Sequence, residues 1–140
     1  MGRARAGVLR SLVVAASLVA GCSTAGGPTA TATPARAIVT FEVESDERFK
    51  VELTTADLVA HAEALLAGQD VPGIPVGTVI RGDPGPNAPW SWHLDPASIR
   101  FADATIEGCD ALPSEVESGD LDGDRYCPWS ATVVAVDGAP

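Results

Sequence analysis

The stretch Trp90 to Asp110, WSWHLDPASIRFADATIEGCD, restricts this chain more than any other: two of its three tryptophans, one of its two histidines and a cysteine fall there with few breaks. Read as extended backbone, Trp90 to Asp95 alternates sides with period two, so Trp90, Trp92 and Leu94 share one face and Ser91, His93 and Asp95 the other. A buried indole removes roughly 150 to 250 Å² from water, so the first face demands a core. Pro96 has no N–H to give to a ladder and ends or edges the strand. A second β-like run, Ile99 to Ile106, follows, closed by Glu107, Gly108 and Cys109.

The segments upstream show a hairpin and then a helix. Val39, Phe41 and Val43 alternate with Thr40, Glu42 and Glu44; after Ser45 and Asp46, Phe49, Val51 and Leu53 alternate with Arg48, Lys50 and Glu52. Two period-two runs across a short polar turn make a hairpin with one apolar face, and Glu42 and Glu44 are expected opposite Arg48 and Lys50. Thr54 or Thr55 then caps a helix of about twelve residues whose stripe is Leu58, Val59, Ala62, Leu65 and Leu66, with His61 at its edge and Gly68 at its end. Gln69 to Val76 reads as a loop, Thr78 to Arg81 as a short strand, and Gly82 to Pro89 as a turn-rich connection. Leu112 to Ser118 suits one or two helical turns, with Pro113 at the start, and Trp129 to Val136 a last strand. The predicted fold class is α+β: an antiparallel sheet of five to six strands, one main helix on one face and one disulfide, within a single domain at residues 38–138.

Residues 1–21 are not part of that domain. Arg3, Arg5 and Arg10 precede an apolar run from Ser11 to Ala20, the order of a lipoprotein signal peptide, and the run is too short to span a bilayer comfortably. Leu18, Val19, Ala20, Gly21 and Cys22 resemble a lipobox, which makes Cys22 the expected lipidated first residue. Residues 22–37 then form the lipidated cysteine and a small, polar, proline-containing tether. The expected location is the bacterial cell envelope, on the outer face of the cytoplasmic membrane.

Charge excludes one class of partner. The formal net charge is −10, and loss of the three leader arginines takes it to −13. Nucleic acid wants a basic footprint, so it is not an expected partner. Attachment to the membrane falls to the lipid anchor, and the other partner is an unidentified protein or glycan, met by a monomer.

With Cys22 spent on lipid, Cys109 and Cys127 remain in an oxidising compartment and are expected to pair. A loop of their size contributes about 3 kcal/mol in the chain-entropy account. No C-x-x-C spacing suggests a redox role.

The run PWSWHLDPxSIxFADxxIExCDA, from Pro89 to Ala111, with CPWS at Cys127 to Ser130, resembles the BP-seventy-four N-terminal domain family, a small extracellular domain. The resemblance covers about the last hundred residues. It implies a domain type found alone in secreted bacterial proteins or as a module in larger ones, and a disulfide. It carries over no catalytic residue.

Several residues are candidates for chemistry. Ser91, His93 and Asp95 are the residue types of a hydrolase triad, but alternate positions on a strand stand about 6.5 to 7 Å apart at the backbone, and a triad needs hydrogen-bond contact. No G-x-S-x-G elbow occurs. A structural histidine bonded to Asp95 or to backbone is the expectation, and a hydrolase or hydrolase inhibitor centred on His93 the alternative. Asp120, Asp122 and Asp124 alternate in a glycine-containing loop, which suits a weak calcium site, although glycine falls at the fourth position rather than the sixth of an EF-hand; a solvated acidic turn is the plainer reading. No other cofactor is expected. Trp90, Trp92, His93, Asp95, Asp110 and Trp129 are the candidate ligand surface, with the disulfide expected to bring the three tryptophans together. The functional expectation is a membrane-anchored binding or structural module without catalytic activity.

Overall fold

A computed structural model describes residues 35–138. The leader, Cys22 and all but the last three tether residues lie outside that range. Strands β1 (Ala37–Glu42) and β2 (Arg48–Leu53) form the expected hairpin, and α1 (Ala56–Leu66) follows. Then come β3 (Ile74–Arg81), β4 (Trp92–Leu94), β5 (Arg100–Ala102), α2 (Pro113–Ser118), β6 (Arg125–Tyr126) and β7 (Thr132–Gly138). The antiparallel α+β class and the single main helix are as expected, but the seven strands divide between two sheets. One has the order β2-β1-β7; in the other, β3 pairs with β4, β5 and β6.

Pairing explains both hairpin and division. Val39 faces Val51 and Phe41 faces Phe49 across β1 and β2, which places every large apolar side chain of the hairpin on one side. Glu42 meets Arg48 as expected, in an ion pair of 2.6 Å. Lys50 instead faces Thr40, because Glu44 lies beyond the end of β1 in a single helical turn, Glu44–Asp46. On the other side of β1 the register with β7 shifts: Thr40 pairs with Ala135 and Phe41 with Val133, which leaves Val134 as an extra, exposed residue.

β3 is the main departure from sequence expectation, since it begins at Ile74 rather than Thr78. Pro75 and Gly77 break the period-two signal. Pro75 is accommodated opposite Phe101, and Gly77 is required by packing, because a Cβ there would lie 2.8 Å from Ile99 Cδ1 and 3.1 Å from Leu94 Cδ1. The run after Pro96 is shorter than expected: only Arg100–Ala102 is strand. Thr55 is the helix cap, accepting from Leu58 N at 3.3 Å. Along α1 only Val59 and Ala62 are fully buried, while Leu66 is exposed.

A common core joins the helix and both sheets. Phe41 stacks on Phe49 at 5.2 Å, and Phe49 meets Tyr126 and Trp92 at 5.4 and 6.2 Å. His61 reaches across from α1, stacked on Phe101 at 4.3 Å and donating from Nε2 to the Pro72 carbonyl. Asn87, in the connection between β3 and β4, is the one fully buried polar side chain among the described residues. Its Oδ1 accepts from Lys50 N at 2.7 Å and its Nδ2 donates to the Trp92 carbonyl at 2.9 Å, so it ties the two sheets together. A second, smaller cluster holds Val76, Cys109 and Cys127. The disulfide is present, with the two Cα atoms 5.1 Å apart.

Candidate functional site

The candidate ligand residues do not form one surface. Trp92 is core, 1% exposed, against Phe49 and Tyr126. Trp90 lies just before β4 and donates from Nε1 to the Arg48 carbonyl at 2.8 Å. Trp129 is 46% exposed at the other end of the sequence motif. The three tryptophans do not share one surface, because Trp92 lies in the core while Trp129 is exposed.

Ser91, His93 and Asp95 likewise serve separate partners. His93 Nδ1 donates to the Asp83 carbonyl at 2.7 Å. Its ring covers Gly85, where a Cβ would come within 3.2 Å of His93 Cγ. Asp95 Oδ1 accepts from Ala97 N at 3.0 Å and so caps the single turn Pro96–Ser98. Ser91 N donates to Glu117 Oε2 at 2.9 Å. Each of the three residues has a different partner, and no hydrogen bond runs from one of the three side chains to another. The acidic loop is tethered through its backbone, with Val79 N donating to the Asp124 carbonyl at 2.6 Å, while Ser118 Oγ donates to Asp120 Oδ2. Asp120, Asp122 and Asp124 do not converge: among the described residues no three His, Cys, Asp or Glu side chains gather as they would around a metal ion.

Asp110 and Trp129, by contrast, do meet. Each follows a disulfide cysteine closely, and Cys127 N donates to the Cys109 carbonyl at 2.7 Å, which draws the two segments alongside one another. Trp129 N then donates to Asp110 Oδ1 at 2.9 Å and the indole Nε1 donates to Thr105 Oγ1 at 2.5 Å. With its backbone and its ring each bonded once, Trp129 walls a groove of about 320 Å³ shared with Glu44, Asp110, Ala111, Leu112, Glu115 and Ser130. Glu115 Oε2 accepts from Leu112 N at 2.7 Å, and Ser130 Oγ accepts from Glu44 N at 3.1 Å. Three carboxylates therefore surround a half-exposed indole, a setting that favours a cation over an anion.

Tyr126, wholly buried, has a hydroxyl with no hydrogen-bond partner. Burial first, and then the negative charges of Asp110, Glu47 and Glu115, push its phenol well above the ordinary tyrosine value. Two of those carboxylates line the groove, so the groove's charge is felt in the core.

Glu44, Glu115, Ser130 and Thr105 were not singled out by sequence. They lie between positions 44 and 130, and only the disulfide, with Asp110 and Trp129 beside it, signals where they would gather. Among the described residues no helix is long and apolar enough to cross a membrane. The family model described as the BP-seventy-four N-terminal domain matches residues 35–140. No curated protein and no solved structure matches the chain.

Proposed function

The chain belongs to the BP-seventy-four N-terminal domain family, and on that premise we propose that it is a lipid-anchored extracytoplasmic binding module without catalytic activity, whose contact point is the groove beside Trp129. The observation that carries this reading is the indole itself. An aromatic residue left 46% exposed yet held by one hydrogen bond from its ring and one from its backbone has little freedom to lose on contact, which is what makes tryptophan effective at binding hot spots. Glu44, Asp110 and Glu115 select the charge of the ligand. The partner presents a cationic group, an amine or guanidinium of a protein or the amine of an amino sugar, to the ring face and the carboxylates.

The anchor rests on the sequence: a basic leader, an apolar run and small residues before Cys22. Lipid on Cys22 and the tether after it would hold the domain near the membrane, and stable attachment needs more than one acyl chain. The non-catalytic reading is supported by the His93 ring and the Asp95 carboxylate being bonded to the Asp83 carbonyl and to Ala97 N.

Two measurements test the proposal. Tryptophan emission is followed while N-acetyl-lysine amide or glucosamine is added, with their neutral N-acetylated counterparts as controls. The cationic compounds should change the emission, Trp129→Phe should abolish the response and Glu44→Gln should weaken it. A response that survives Trp129→Phe, or none with either amine, rejects the groove. Separately, Cys22→Ala should move the protein out of the membrane fraction, and its retention there would reject the lipid anchor.

A further inference from the structure

We propose that Arg100 and Arg125 form an oxyanion site on the outer face of the second sheet, and that it takes a phosphate group. The register places them. Arg100 pairs with Val76 and Arg125 with Thr78, and Val76 and Thr78 are alternate residues of β3, so all four side chains leave the sheet on the same face. Together with Gly77 and Ser98 they line a hollow of about 200 Å³. No carboxylate lines it, whereas three line the groove beside Trp129.

The remaining arginines of the described residues are engaged. Arg36 pairs with Glu52, Arg48 pairs with Glu42, and Arg81 donates from its guanidinium to the Val116 carbonyl at 2.5 Å. In a chain with 19 acidic and nine basic residues, a pair of arginines sharing one hollow without an acidic neighbour in its lining is a departure from the rest of the surface. Two like charges lining one hollow from either side of β3 repel, and an anion between them relieves the repulsion. A guanidinium presents paired N–H groups that match two oxygens of a phosphate, and two such forks suit the dianion better than a single-charged ion. Thr78 is exposed at the centre and supplies a hydroxyl. Ser98 shapes the hollow without binding, because its Oγ accepts from Thr78 N at 2.8 Å and donates to the Asp95 carbonyl at 2.7 Å. A hollow of about 200 Å³ has room for a tetrahedral oxyanion. The phosphate is either free or the headgroup of an anionic lipid, and the chemistry of recognition is the same.

The test uses the full chain carrying Cys22→Ala, so that no lipid anchor contributes to vesicle binding. Inorganic phosphate is added at constant ionic strength while the arginine side-chain Nε–Hε resonances are followed, with chloride as control. In a second arm the protein is sedimented with phosphatidylglycerol or phosphatidylcholine vesicles. Phosphate should shift two arginine resonances more than chloride does. Arg100→Gln or Arg125→Gln should each weaken binding by roughly tenfold, the size expected for losing a charge-assisted hydrogen bond. Because both side chains are exposed, neither change should disturb folding. Sedimentation with phosphatidylglycerol alone, lost in the double variant, would identify the lipid headgroup as the source; a phosphate response without it would identify free phosphate. The proposal is overturned by equal shifts in phosphate and chloride together with the absence of arginine-dependent vesicle binding.

Discussion

Around Phe49 the protein is held by contact alone, with the rings of Phe41, Tyr126 and Trp92 all within 6.2 Å of it by centroid, whereas around Cys127 the buried set is only Val76 and the disulfide itself. Sixteen buried residues make the first cluster and three the second. Apolar burial stabilises in proportion to area, so the first region has ample contact to hold its shape and the second has little. The comparison teaches where covalent support matters: the groove beside Trp129 spans the two regions, with Asp110 and Trp129 close after the two cysteines and Ala111 and Leu112 packed against the larger core. The placement of Asp110 and Trp129 within it depends on the bond, since Cys127 N donates to the Cys109 carbonyl and draws their two segments together.

The largest effect should come from the packed region. Phe49→Ala removes a ring that touches three others and should cost about 3 to 5 kcal/mol in urea unfolding, while amine binding at Trp129 persists in whatever fraction stays folded. Next, replacing both cysteines by alanine should cost about 3 kcal/mol, from the loop that the bond closes across a sequence separation of 18. This variant should also lose the Trp129 emission response. Equal damage to amine binding from both changes would break the distinction between the regions.

Tyr126 belongs to both regions, with its ring in the large core and its hydroxyl in the field of the groove's carboxylates, and it should give the smallest effect at neutral pH. Tyr126→Phe removes a buried hydroxyl that has no partner, so stability at pH 7 should change by less than about 1 kcal/mol. The difference emerges in alkali. Because the folded protein holds the phenolic proton more tightly than the unfolded chain, stability is intact below the unfolded value near 10 and falls as pH rises above it, by up to about 1.4 kcal/mol per pH unit. The phenylalanine variant should lack that component when urea midpoints are compared between pH 9 and 11. Parallel curves would show that burial and the nearby carboxylates do not raise the phenol.

Local pattern made the hairpin, the helix, its Thr55 cap and the Trp92/Leu94 face legible, because period and capping chemistry depend on near neighbours. β3 was legible only in its second half. Pro75 and Gly77 weaken a strand pattern, and what tolerates them is a partner strand opposite Pro75 and close packing against Gly77, both supplied from residues 94 to 102. The division into two sheets was hidden for the same reason, since it rests on contacts such as Asn87 with Lys50 and Trp92. At the site, Asp110 and Trp129 could be picked out by their places beside the cysteines. Glu44 and Glu115 could not, because nothing near them in the chain marks the groove they share.

The irregular pairing between β1 and β7 bears on solubility. TVVAV, within Thr132–Gly138, is β-branched, largely uncharged and at the border of its sheet, the composition from which chains add strand to strand and assemble into aggregates. The extra residue at Val134 bends that border and interrupts its row of backbone donors and acceptors. A straight template for a neighbouring copy is thereby denied. Were copies anchored in the plane of a membrane, as proposed above, they would meet edge to edge far more often than in dilute solution, and the bulge would oppose their polymerisation.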